Sequence, residues 1–134
     1  MVTVQVDLIG SVYTSHLTIH YFRLNPPGTH STLICTSSSA GRYAAEPIPV
    51  CTAAKYGIVG LVRSLTRFFE AENVMIHTVR PGGVPTNIVD PESMKDFLKA
   101  HFTSVQNVVD CVEALLFRRG MFANAKRGKS SGSE

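Results

Sequence analysis

The sequence predicts an α/β fold built on a parallel sheet, and three observations carry that prediction. Two short apolar, β-rich runs, TLICT at 32–36 and NVMIHTV at 73–79, read as buried strands. Between them residues 50–72 follow a helical period, the kind of crossover that parallel strands need. Each run leads into a polar or glycine-rich loop, TSSSAG after the first and RPGG after the second. In open sheets of this class the chemistry sits at such strand carboxyl ends.

Residues 1–24 fit two patterns. Val2, Val4, Val6 and Leu8 alternate like a strand, whereas Val6, Ile9, Tyr13 and Leu17 follow a helical period, and the balance leans to helix. RLNPPGTHS is a turn, with Pro26, Pro27 and Gly28 as breakers. The stretch SSSAGRYAAEPIP reads as a loop. In the 50–72 helix, Ala53, Gly57, Gly60 and Ser64 form a stripe of small residues that allows another backbone to come close. Ile58, Leu61, Leu65 and Phe68 supply its apolar bulk. A short helix is expected from Pro91 to Ala100, with Pro91 in its first turn. A stronger one follows Ser104, a candidate N-cap, with Val105, Val108, Val109, Val112, Leu115 and Leu116 on one face. MFANA at 121–125 suggests a last strand, and 124–134 reads as a disordered basic and polar tail.

Composition narrows the classes of function. The 134 residues suffice for one domain with a core, and 44% hydrophobic against 17% charged residues argues against disorder. The net charge of +3 is modest, and Arg118, Arg119, Lys126, Arg127 and Lys129 concentrate it near the C-terminus. That reads as a solvated tail, and no aromatic platform for single strands accompanies it, so no nucleic-acid partner is expected. No apolar run is long enough to span a bilayer, so no membrane partner is expected either. The first 22 residues hold no Lys or Arg, so a secretory n-region is missing. Cys35, Cys51 and Cys111 have neither zinc spacing nor an even count, which points to free thiols in a reducing, cytoplasmic setting. His16 and His20 share a metal-like spacing but have no obvious third ligand, so no metal site is expected.

The chemistry-bearing pattern is PVCTAAKYG, where Cys51 and Lys55 stand four apart and so share one helix face. Ser38 lies among three serines, without the G-x-S-x-G of a nucleophile elbow.

Taken together, LICTSSSAG, then P-x-C-x-A-A-K-x-G-I-x-G-L-x-R-S-L, then I-H-T-V-R-P-G-G-V-P-T resemble the C-terminal part of a short-chain dehydrogenase/reductase, in the family's order and spacing. VDLIGSVYTSHLTIHYF resembles the family's helix before the serine strand, and the likeness covers residues 1 to about 90. The wording is most similar to fungal members, including those of secondary metabolism. The resemblance implies a partial Rossmann-like, doubly wound sheet over residues 1–123, and hydride transfer between NAD or NADP and a small-molecule alcohol or ketone. It places Ser38, 13 residues before Cys51, as the substrate-orienting serine. It places Lys55 as the lysine that holds the nicotinamide ribose and supports the catalytic proton transfer. Pro81, Gly82, Val84 and Thr86 match the loop that meets the nicotinamide carboxamide. Asp7 stands where the family has a proton-relay asparagine, and Cys51 where it has the catalytic tyrosine.

Two departures shape the functional expectation. A cysteine sulfur ends roughly 4 Å short of a tyrosine hydroxyl, outside hydrogen-bond reach of a carbonyl placed for tyrosine. Within these residues no Gly-rich strand–turn–helix cradles a pyrophosphate. The expectation is therefore a truncated family member, inactive or impaired in hydride transfer, with the apolar edge of TLICT uncovered and stability marginal. Asp7 cannot donate as an amide does, although pairing with Lys55 is open to it. The alternative is a noncatalytic remnant or interaction protein. It would use the family's two dimer helices, at 1–24 and 50–72, to form homo-oligomers or hetero-oligomers with a full-length relative.

Overall fold

The computed structural model describes residues 2–86 and 102–117. The ambiguous N-terminal stretch is helical. A π-helical segment, Val4–Ile9, runs directly into α1, Gly10–Phe22. The Gly10 amide donates to the Gln5 carbonyl five residues back, which gives the wider π turn. Helix wins over the alternating pattern because the helical period delivers Ser15 and Ile19 into the interior, at 2% and 4% exposure. Tyr13, Leu17 and Tyr21, one turn apart from each other, stay outside.

The chain then turns through Pro26–Thr29, closed by the Thr29 amide on the Pro26 carbonyl at 3.1 Å. Gly28 takes φ +84°, a conformation that a side chain would strain. β1, Ser31–Thr36, pairs in parallel with β2, Val74–Val79, in a register running from Ser31 opposite Val74 to Thr36 opposite Val79. Among the described residues β2 is the strand that β1 pairs with.

The crossover is α2, Pro49–Phe69. Proline at its start has no amide proton to leave unpaired, and its fixed φ suits a first turn. Ala54, Ile58, Val62 and Phe69 recur at helical spacing on the buried side, and Ile58 is 1% exposed. The α-helix ends at Phe69. A 3-10 turn, Glu70–Glu72, and left-handed Asn73 at φ 57° then redirect the chain into β2. Ile19, Cys35, Ile58, Val62, Phe69, Val74 and Ile76 form one core, flanked by Leu8, Phe22, Leu33 and Leu65. The Thr66 hydroxyl, 2.9 Å from the Ile76 carbonyl, adds a polar tie between α2 and β2.

Some details differ from the sequence expectation. Phe68 is 71% exposed and Phe69 takes the core place, because only position 69 falls on the turn that faces β2. The small-residue stripe is covered only in part. At Gly57 the Leu8 side chain packs so closely that a Cβ would lie 2.7 Å from it, whereas Gly60 meets open space. A third helix, α3, Val105–Phe117, starts with the Ser104 hydroxyl accepting the Asn107 amide at 3.0 Å, as an N-cap does. Its apolar face is only half covered, with Val105, Val109 and Leu116 exposed. The expected Pro91–Ala100 helix, the MFANA strand and the 124–134 tail lie outside the described residues.

Candidate functional site

The site begins where the two strands end. Beyond the ladder, the Ser37 amide donates to the Val79 carbonyl at 2.9 Å and the Ser39 amide to the Pro81 carbonyl at 2.8 Å. The serine loop and the proline–glycine loop thus continue side by side past the sheet, and Ser38 and Pro81 are brought together. Ser38 is extended, half-buried, and caps a 3-10 turn, Ser39–Gly41, by accepting the Ala40 amide at 3.2 Å. Its hydroxyl proton has no acceptor among the described residues.

The serine loop is also stitched to α2. The Ser37 hydroxyl donates to the main-chain carbonyl of Lys55 at 2.9 Å. Gly41 lies so close that a Cβ there would stand 2.8 Å from the same carbonyl oxygen. The Lys55 side chain makes a separate contact. Its Nζ meets Asp7 Oδ2 at 3.2 Å, with side chains 18% and 29% exposed. Asp7 reaches it because the π-helical segment is seated on α2 through Leu8 against Gly57, two residues beyond Lys55. The Ser11 hydroxyl bonds the Asp7 carbonyl and steadies that turn.

Cys51 is a free, half-buried thiol one helical turn before Lys55. The two tyrosines near it in sequence are engaged elsewhere. The Tyr56 hydroxyl donates to the Arg42 carbonyl at 2.6 Å, and Tyr43, 66% exposed, packs under the Arg42 guanidinium. Across the strand ends, the Gly82 amide donates to Thr103 Oγ1 at 3.0 Å, and the Thr103 amide returns to the Gly83 carbonyl at 2.7 Å. Val84 is half-buried and Thr86 exposed, and neither is tied to the other site residues among those described.

Asp7, Lys55, Ser38, Pro81 and Gly82 are therefore linked through direct or adjacent hydrogen bonds. Ser37, Gly41 and Thr103 were not singled out in the sequence. The triple serine and the SAG step are the sequence signals for the first two, but the family resemblance implies a role for Ser38 alone. A lysine ammonium carries three donors and no acceptor, so one bond to Asp7 leaves two for ribose-like hydroxyls. These groups fit the nicotinamide end of a dinucleotide. A separate groove of about 260 Å³ between α1 and α2, lined by Val12, His16, Ile19, Leu61 and Phe69, lies away from the strand ends. Among the described residues no three His, Cys, Asp or Glu side chains gather as a metal site, and no helix is long and apolar enough to cross a membrane.

A family model described as short chain dehydrogenase matches residues 1–96. The chain is 35% identical over 115 residues to short-chain dehydrogenase/reductase prx7 of Penicillium rubens, covering 85% of this chain and 41% of that protein. It is 31% identical over 125 residues to 5'-hydroxyaverantin dehydrogenase of Dothistroma septosporum, covering 85% and 40% respectively. In fold it resembles a 4-hydroxyisoleucine dehydrogenase solved with NADH, with a TM-score of 0.68 at 19% identity over 89% of this chain and 52% of that one. The chain thus spans about two-fifths of the length of these curated relatives.

Proposed function

Because this chain belongs to the short-chain dehydrogenase/reductase family, we propose that it carries the nicotinamide-facing part of an NAD(P)-dependent site for alcohol and ketone interconversion, with its proton-transfer step impaired. The observation that carries the reading is the Lys55–Asp7 pair, held beside the Ser38 loop by the Ser37–Lys55 bond. In this reading the Ser38 hydroxyl donates a hydrogen bond to the substrate oxygen and keeps its proton. Lys55 holds the ribose hydroxyls, and Pro81, Gly82, Val84 and Thr86 border the carboxamide. A bound nicotinamide supplies or accepts the hydride.

The proton on the substrate oxygen must then move through position 51. Cys51 carries a short side chain there, and Tyr56, bonded to Arg42, does not take its place. Asp7 compensates in part, since its carboxylate orients the Lys55 ammonium in the relay position. The fungal relatives support a role in fungal secondary metabolism.

A second reading, an interaction protein that binds a related reductase, draws on Tyr13, Leu17 and Tyr21, which α1 leaves 67%, 55% and 65% exposed. NADH and NADPH titration of the 134-residue chain, followed by isothermal titration calorimetry and by thermal melting, separates the two. Saturable binding with a raised melting temperature is expected. Cys51→Tyr should then raise ketone-dependent NADH oxidation by roughly 10²–10⁴-fold, the usual range for a placed acid–base group. No binding at millimolar cofactor, together with salt-resistant co-purification with a full-length reductase, would replace the first reading with the second.

A further inference from the structure

We infer that Ser37 is a positioning residue that keys the Ser38 loop to the Lys55 turn of α2; the inference deepens the reading above and rests on it. Ser37 joins three elements at once. It directly follows β1, its amide donates to Val79 of β2, and its hydroxyl donates to the Lys55 carbonyl on α2, both at 2.9 Å. It is 4% exposed, so water does not substitute for these bonds. Its neighbours do not share the task. Thr36 is exposed, and the Ser38 hydroxyl accepts within its own loop.

The contact also lies at a place with no slack. A Cβ on Gly41 would stand 2.6 Å from Ser37 Oγ and 2.8 Å from the Lys55 carbonyl oxygen. The Lys55 carbonyl lies well inside α2, where the helix ladder already supplies a donor, so the Ser37 bond adds position to a group that is already satisfied. Its two ends lie on Lys55 itself and on the residue next to Ser38. A displacement at this bond therefore moves the Ser38 loop relative to the α2 main chain that carries the Lys55 ammonium. A shift on the order of 1 Å between such groups costs about 10²-fold in rate.

The test compares Ser37→Ala and Ser37→Thr with the unsubstituted ¹⁵N-labelled chain. The Lys55 side-chain ammonium resonance reads its pairing with Asp7 without any cofactor, and NADH titration reads the assembled site. Ser37→Ala is expected to move the ammonium resonance and weaken NADH binding about fivefold, the worth of one ordinary hydrogen bond. Ser37→Thr, which keeps the hydroxyl, restores both. An unmoved ammonium resonance in Ser37→Ala alongside a lowered melting temperature makes Ser37 a stability residue only and overturns the inference. If the unsubstituted chain binds no NADH, the proposed function fails while the ammonium resonance still decides the role of Ser37. If Ser37→Ala does not fold, Ser37→Cys, with similar volume and a weaker donor, takes its place under the same criteria.

Discussion

Replacing Gly41 by alanine tests the junction between the serine loop and α2 most directly. The added Cβ would sit 2.6 Å from Ser37 Oγ, 2.8 Å from the Lys55 carbonyl oxygen and 3.1 Å from its carbon. Two of these three atoms belong to the α2 main chain and cannot swing aside, so the loop itself must retreat. Overpacking of this kind costs about 1–3 kcal/mol. For a chain of this size that corresponds to a fall in melting temperature of roughly 4–12 °C. Gly60→Ala is the matched control, because nothing lies within 4 Å of its Cβ and it sits inside α2. There the better helix propensity of alanine stabilises by about 0.5–1 kcal/mol, a rise of roughly 2–4 °C. Differential scanning fluorimetry on both variants reads the two signs in one experiment. A Gly41→Ala chain that melts with or above the unsubstituted protein would refute the close approach of loop and helix, and with it the argument for Ser37.

Two further outcomes follow from charges in the fold. Asp7→Asn removes the ion pair with Lys55; since both side chains are partly exposed, the cost in stability is about 1 kcal/mol or less. Denaturant melts at low and high salt check this, because the gap between the two proteins should narrow as salt screens the pair. Burial holds the His77 imidazole below its ordinary 6.5, so the unfolded chain takes up that proton first as pH falls. Stability from this group is full above pH 6.5 and declines as pH drops below it towards the folded-state value. His77→Gln should flatten the decline. Glu72, held below 4.5 by its hydrogen bond to Arg23, acts in a separate and more acidic window. An equal slope in both proteins between pH 7 and pH 5, measured by thermal melts, would show that His77 is not the titrating group.

Much of the architecture was legible in the sequence because its signals are local. A strand announces itself by a short β-branched run, and α2 by apolar residues recurring each turn, so β1, α2 and β2 appear close to their expected bounds. Ser104 was legible as a cap for the same reason, since an N-cap acts on an amide three residues away. The N-terminal stretch was less legible because both periods fit. Only the seating of Ile19 in the core and of Leu8 on Gly57 shows which one the chain adopts. The sequence pattern points to Phe68, and one residue of helix phase separates that exposed ring from the core ring of Phe69.

By itself the sequence determined the α/β class, the parallel crossover and the family likeness, and through that likeness it proposed the candidate site residues. All of these depend on residue type and spacing along the chain. The tertiary structure alone decided how those residues are held. The Ser37–Lys55 bond spans 18 positions, and the Lys55–Asp7 pair joins α2 to a π-helical turn near the N-terminus. No periodicity or spacing rule reports a hydrogen bond between elements, because it exists only after β1, α2 and the N-terminal helix have packed on one core. That packing is also what committed Tyr56 to Arg42 and left Cys51 beside Lys55 as a free thiol.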